Sequence, residues 1–151
     1  MGAYVNVTPL YGNQDKRTSE AVVVTCPAML DEGSQRVGSG PTYIKSGDAW
    51  TAAVIEADTI VKKAYLIVDE AFPSGATISV DIAGQSLFID VPVDATGLTA
   101  STAEDLYFKV GQTVTVGITS GSAGTEVQTG VARIVIDEVS PSLRNGNYAA
   151  N

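Results

Sequence analysis

The sequence predicts an all-β protein: a single β-sandwich or jelly-roll-like domain with an extended N-terminal arm. Two observations carry this expectation. Short runs rich in Val, Ile, Thr and Tyr recur about every ten residues, divided by Gly, Ser, Pro and Asp, which is the rhythm of sandwich strands and their turns. In addition, no window of about a dozen residues shows a 3.6-residue apolar period that beats its alternating reading, so helix is expected to be minor. No internal repeat of useful strength appears.

Residues 1–40 are the least regular and are read as the arm. Tyr4 to Val7 has strand character and Tyr11 to Thr18 is polar. Glu20 to Thr25 is a β-branched run that ends at Cys26-Pro27, and Asp31 to Gly40 is a loop by composition. The sandwich domain is assigned to 41–140. Within it Ile60 to Val68 is apolar on both faces toward its end, as a central strand of a packed sheet should be. After the breaker Pro73-Ser74-Gly75, Ile78, Val80 and Ile82 alternate with Ser79 and Asp81, which puts the three apolar residues on one face.

Ala83-Gly84-Gln85 then turns the chain into Leu87 to Val91, read as the second arm of a hairpin with Leu87, Ile89 and Val91 on one face and Phe88 and Asp90 on the other. Pro92 to Glu104 is read as a polar loop. Val114, Val116 and Ile118 alternate cleanly with Thr113, Thr115 and Gly117. In the last strand, Val131 to Val139, Ile134 and Ile136 face inward while Arg133, Val135 and Asp137 face outward. Residues 141–151 form a polar C-terminal tail.

At 151 residues the chain is of single-domain size, and 9 Lys+Arg against 17 Asp+Glu leave a formal charge of −8. Scattered cations in an acidic chain argue against nucleic-acid binding, which needs clustered Lys and Arg, and against docking on an anionic membrane. No stretch approaches the roughly 18 apolar residues of a bilayer span. The start, Met1-Gly2-Ala3-Tyr4-Val5-Asn6-Val7, lacks the basic end and apolar core of a secretory signal. Charged residues make up only 17% of the chain, against about 25% in ordinary domains. Such a surface is either covered by partners or solvated by Thr, Ser and Gly.

There is no histidine. That removes the commonest general base and metal ligand, and with it any Ser-His-Asp or Cys-His centre within the chain, so an enzyme is not expected. The single cysteine, Cys26, cannot make an intrachain disulfide and is read as a buried, inert thiol. The acidic groups Asp69-Glu70, Asp90 with Asp94, Glu104-Asp105 and Asp137-Glu138 lie mostly at strand ends, where solvated carboxylates belong. They lack both the spacing of a calcium loop and the aromatic cleft of a glycosidase. No catalytic, cofactor or metal site is assigned. The lone Trp50 is expected in the core, with anchoring of a partner as the competing role.

The irregular arm, the run Lys63-Ala64-Tyr65-Leu66-Ile67-Val68-Asp69-Glu70-Ala71-Phe72-Pro73-Ser74-Gly75-Ala76-Thr77-Ile78-Ser79-Val80-Asp81-Ile82, the Gly/Thr-rich hairpin and the Tyr-bearing tail together resemble the small structural proteins of tailed bacteriophages. The subgroup they are most similar to is the head decoration, or capsid cement, proteins. The resemblance covers roughly residues 50–140. It implies a virion protein, made in the host cytoplasm and bound on the outer capsid surface. Its partner would be the major capsid protein, and it would sit there as a homo-oligomer, a dimer or trimer.

Its role would then be mechanical: to hold the capsid lattice against the pressure of packaged DNA. The contact residues expected on this reading are Ala3, Tyr4, Val5, Val7, Val22, Val24, Trp50 and Tyr148. The alternatives are a phage tail or connector component and a carbohydrate-binding host-recognition module. The latter would be favoured by exposed aromatics around Tyr43, Trp50, Tyr107 and Phe108.

Overall fold

The computed structural model describes residues 15–30 and 42–141. These form eleven strands: β1 (Asp15–Thr25), β2 (Met29–Leu30), β3 (Thr42–Tyr43), β4 (Ala49–Ile55), β5 (Thr59–Glu70), β6 (Thr77–Ile82), β7 (Gln85–Pro92), β8 (Gly97–Ala100), β9 (Leu106–Phe108), β10 (Gln112–Thr119) and β11 (Val131–Pro141). No helix occurs among the described residues, and none is therefore long and apolar enough to cross a membrane. One sheet runs β1-β11-β5-β8 with β9 also on β5, and a second runs β4-β10-β6-β7, with β2 and β3 forming a small separate ladder. Every pairing is antiparallel. This is the expected all-β sandwich.

The core lies between the two larger sheets and follows from alternation. From the first sheet Val61, Ala64, Leu66 and Val68 of β5 point inward beside Ala132, Ile134 and Ile136 of β11 and Val24 of β1. From the second, Trp50, Val116, Val80 and Phe88 stand in one cross-strand row, all buried. Ile78, Ile82, Val114 and Ile118 fill the rows on either side. Each fully buried Ile, Leu or Val contributes about 1.5–3 kcal/mol relative to exposure, so the double layer supplies the main driving force. β5 is central in its sheet, as its two-faced apolar run requires.

Three segments depart from the sequence reading. Residues Asp15–Thr25, placed above in the arm, form β1, paired over its whole length with β11 from Asp15↔Pro141 to Thr25↔Val131. The cause is β11 itself: it is as long as β1, and β5 covers only one of its edges. The second departure is in β7, where Leu87 and Phe88 are both buried and Ile89 is 71% exposed. Register shifts on either side of Val80, with Asp90 at φ 45°, break the alternation that would have put Leu87, Ile89 and Val91 on one face. Ser79 holds this kink by accepting from the Asp90 N–H at 2.9 Å.

The third departure is the stretch read as a polar loop, which contains β8, paired with β5 from Tyr65↔Ala100 to Val68↔Gly97. Between β8 and β9 the buried Ser101 keeps the β5 backbone satisfied. Its Oγ accepts from the Ala64 N–H at 3.0 Å and donates to the Ala103 carbonyl at 2.9 Å. A hydroxyl thus stands in for a strand partner, which is why a polar sequence can run along a sheet edge.

Cys26 follows β1 and is buried, its N–H donating to the Gly130 carbonyl at 2.9 Å. Burial pushes its thiol up to about 11 from an ordinary value of 9.0. The native protein at pH 8 is therefore expected to resist alkylation, with rapid labelling only after denaturant is added. The sign of the linkage follows from the raised value: the stabilisation is fully present below pH 9.0 and is lost as pH rises toward 11. Equal labelling rates in native and denatured protein would contradict this placement.

Candidate functional site

The carboxylates singled out in the sequence are occupied with structure. Asp69 accepts from Nε and Nη2 of Arg133 at 2.7 and 2.9 Å across the β5–β11 pair. This hydrogen-bonded guanidinium holds its carboxyl below the usual carboxylate range. Lys63 donates to Glu104, and Lys62 pairs with Asp105 at 2.5 Å, so both cations of β5 tie down the segment between β8 and β9. Asp94 accepts from the Gly75 N–H at 2.9 Å while Asp90 Oδ1 accepts from Ser79 Oγ at 3.2 Å, so these two acids serve separate turns. Among the described residues no group of three His, Cys, Asp or Glu side chains is placed to hold a metal ion.

What distinguishes the surface is the contrast between the outer faces of the two sheets. On the second sheet the outward residues are mostly hydroxylic, Thr51, Thr113, Thr115 and Thr119 with Thr77, Ser79 and Ser86, beside Asp81 and the exposed Val54, and its strands carry no Lys or Arg. Hydroxyls predominate on this face, with the carboxylate of Asp81 among them accepting from Ser86 Oγ at 3.1 Å. The outer face of the first sheet carries an apolar strip instead, bordered by the polar row Ser19, Asp137 and Lys63. Val23, Arg133, Ile67 and Leu98 form one cross-strand row, and Ala21, Val135, Tyr65 and Ala100 form the next. Val23 is 60% and Leu98 63% exposed. An outward sheet face normally alternates to polar, so seven apolar residues of eight mark a face suited to being covered.

A second apolar feature lies where the sheets come together at β7 and β8, the terminal strands of their respective sheets. A cavity of about 220 Å³ opens there, lined by Leu87, Phe88, Ile89 and Val91 of β7 and by Thr99 and Ala100 of β8. Two strand edges with no further strand beside them among the described residues, next to an apolar groove, are the ingredients of strand addition.

The contact residues expected from the sequence are distributed unevenly. Val24 and Trp50 are buried at 2% and 8% and pack in the core, and Val22 is partly buried against it. Ala3, Tyr4, Val5, Val7 and Tyr148 lie outside the described residues. The outward residues of β1, β5, β11 and β8 were not singled out. Their sequence signals are Ile134-Val135-Ile136 and the two-faced run of β5, where an apolar residue occupies a position that alternation assigns to water. Among the described residues the four aromatics named for sugar stacking do not gather on one surface: Trp50 and Phe108 are buried, and the exposed Tyr43 and Tyr107 stand at opposite ends of the sandwich. Tyr107 pairs with Ile60, whereas β3 follows the end marked by Thr25, Val131 and Glu70.

Compared with known families and with curated proteins, the chain matches none. Solved structures do match. A chain of the capsid of Ralstonia phage GP4 superposes with a TM-score of 0.55 at 18% identity, covering 87% of this chain and 89% of that one. A chain of the capsid asymmetric unit of cyanophage Pam1 gives 0.54 at 14% identity with the same coverages. A chain of the acid-stable capsid of Helicobacter pylori bacteriophage KHP30 gives 0.49 at 13% identity, covering 85% and 94%. The chain thus shares its fold with the first two, nearly end to end in both directions.

Proposed function

We propose that this protein is a structural component of a phage virion that binds the outer surface of the capsid and stabilises the lattice of major capsid proteins against the pressure of the packaged DNA. The observation that carries this reading is the end-to-end fold match with chains from two phage capsids, each of nearly this chain's length. The surface supports the same reading, since an apolar sheet face and an apolar groove with two open strand edges are features that a neighbouring protein covers.

The mechanism is mass action. A protein that binds only the assembled lattice stabilises that lattice, and copies that contact more than one capsid subunit add through avidity. The charge of −8 suits an outer position, where a basic protein would compete for the genome. The protein acts there as a homo-oligomer, with the β7–β8 groove on the capsid side.

The test is binding of purified protein to expanded capsids that lack it. Saturation at a fixed ratio to the capsid protein and a raised disruption temperature are expected. Ile89→Lys, at a position 71% exposed, should weaken binding about tenfold, or ~1.4 kcal/mol, without lowering the melting temperature of the free protein. Capsids equally robust with and without the protein would remove the proposed role. Closed rings formed by the isolated protein would point to a tail or connector part instead.

A further inference from the structure

We infer that the groove between β7 and β8 takes residues 3–8 of a second copy of this chain, added as a strand along β8. The groove calls for an extended, uncharged segment with one apolar face. β8 ends its sheet, pairs with β5 in unbroken register, and has no further strand beside it among the described residues. A strand added there turns every other side chain into the cavity of about 220 Å³, toward Leu87, Phe88, Ile89 and Val91. Asp90 is the only charged residue on β7 and β8, so an acidic occupant is repelled, and any charge placed against the apolar walls loses its hydration.

Three stretches of the sequence lie outside the described residues, and one of them meets these requirements. Residues 31–41 carry Asp31, Glu32 and Arg36, and residues 142–151 carry Arg144. Residues 1–14 carry no charged side chain, although the chain holds 17 Asp and Glu. Within them Ala3, Val5 and Val7 alternate with Tyr4, Asn6 and Thr8, and Pro9 ends the run because it has no N–H to give to a ladder. In the groove Ala3, Val5 and Val7 face β7, and Tyr4, Asn6 and Thr8 face water.

A second copy supplies the segment because the chain's own stretch has no length to spare. β1 ends the first sheet on one side and β8 ends it on the other. Asp15 stands opposite Pro141, six residues along β11 from Val135, and the row of Val135 runs through Tyr65 to Ala100 of β8. The straight line from Asp15 to Ala100 is about 24 Å, from a rise of ~3.3 Å per residue and ~4.8 Å between strands. The links from Asp15 back to Thr8 span about 23–25 Å fully extended, which leaves nothing for passing around the side chains of the sheet. A neighbour whose β1 stands beside the groove meets no such limit. Reciprocal exchange between two copies fills both grooves and closes the assembly at a dimer.

This deepens the oligomer part of the reading above and rests on it; the filled groove keeps its place on the capsid side, and capsid binding is read in a separate assay. Sedimentation velocity of the free protein across micromolar to millimolar concentration should show a species of twice 15.6 kDa. Val5→Asp, which sets a carboxylate against the apolar walls near Asp90, should raise the dissociation constant about tenfold or more, whereas Asn6→Asp, on the water side, should change it less than about threefold. For the contact itself, chains carrying Val5→Cys and chains carrying Ile89→Cys are mixed in equal amounts under a mild oxidant; the native Cys26 is buried. A disulfide between position 5 of one copy and position 89 of the other, identified by mass spectrometry, should form about ten times faster than one between Val5→Cys and Val54→Cys. Val54 is 57% exposed on β4, the far edge of the second sheet. Far-UV circular dichroism and melting temperature of each variant show that it is folded.

A wild type that stays monomeric throughout overturns the inference, as do equal effects of Val5→Asp and Asn6→Asp, or equal cross-linking to positions 89 and 54. A chain carrying both Val5→Cys and Ile89→Cys should be trapped as the dimer; a bond closed within one chain shows that its own segment fills the groove and overturns the exchange. If the dimer and the cross-link form as expected but no capsid is bound, the proposed function fails and the exchange stands.

Discussion

Replacing Gly130 with alanine is expected to remove about 3–5 kcal/mol of stability, as the sum of a backbone and a packing cost. Gly130 has φ 124°, where an L side chain is strained. A Cβ built there would lie 2.3 Å from Cγ of Phe72, with both Cδ atoms within 2.6 Å. Phe72 cannot swing away freely: it is 3% exposed, and its own N–H donates to the Val93 carbonyl at 3.0 Å. The site also joins two elements, since the Gly130 carbonyl accepts from Cys26 just before β11 begins.

Urea unfolding followed by the fluorescence of the lone tryptophan measures the loss, and a melting temperature lower by about 10 °C should accompany it. Gly84→Ala is the comparison. It too has positive φ, at 80°, but nothing within 4 Å of the added carbon, so only a backbone cost of about 1 kcal/mol is expected. Equal effects at the two positions would show that the Phe72 contact does not matter.

The second large effect is expected at Trp50. Its side chain fills the row Trp50–Val116–Val80–Phe88 against the first sheet, so Trp50→Ala should cost about 3–5 kcal/mol by leaving a cavity that flanking strands cannot close. Trp50→Phe should retain most of that stability. Because the only tryptophan is removed in both variants, circular dichroism is the readout. A Trp50→Ala variant as stable as wild type but impaired in binding would restore the contact role the sequence allowed.

The strands that were legible were those whose two faces meet different media. Ile78, Val80 and Ile82, then Val114, Val116 and Ile118, and finally Ile134 and Ile136 were placed inward by alternation alone, and all are buried. Strands whose pairing depends on a distant segment were not legible. β1 reads as an arm because much of its length is polar, and it is a strand because β11 offers it an edge along eleven residues. β8 reads as loop because all four of its residues are exposed, and it exists because the outer edge of β5 was vacant. The face reversal in β7 was hidden for a further reason: a bulge adds a residue to one strand only, and the sequence of that strand carries no mark of its partner's register.

The candidate surface was half legible. Charge poverty pointed to a surface that is either covered by partners or solvated by hydroxyl and glycine residues, and both descriptions apply, one to each sheet. Which residues form the covered face was not readable, because Val23, Arg133, Ile67 and Leu98 come from β1, β11, β5 and β8 and share a row only after those strands pair.

By itself, then, the sequence determined the class of structure, the inward residues of the regular strands, the inert thiol and the lack of histidine chemistry. All of these depend on composition or on contacts a few residues long, and the period of a strand is set by its own backbone geometry. Tertiary structure alone decided that the chain's first described strand closes a sheet, and that one outer face carries an apolar strip while the other is mostly hydroxylic. Those are properties of neighbours, and in an antiparallel sandwich the neighbours of a residue can be as far apart in the chain as Asp15 and Pro141, where local pattern carries no information about them.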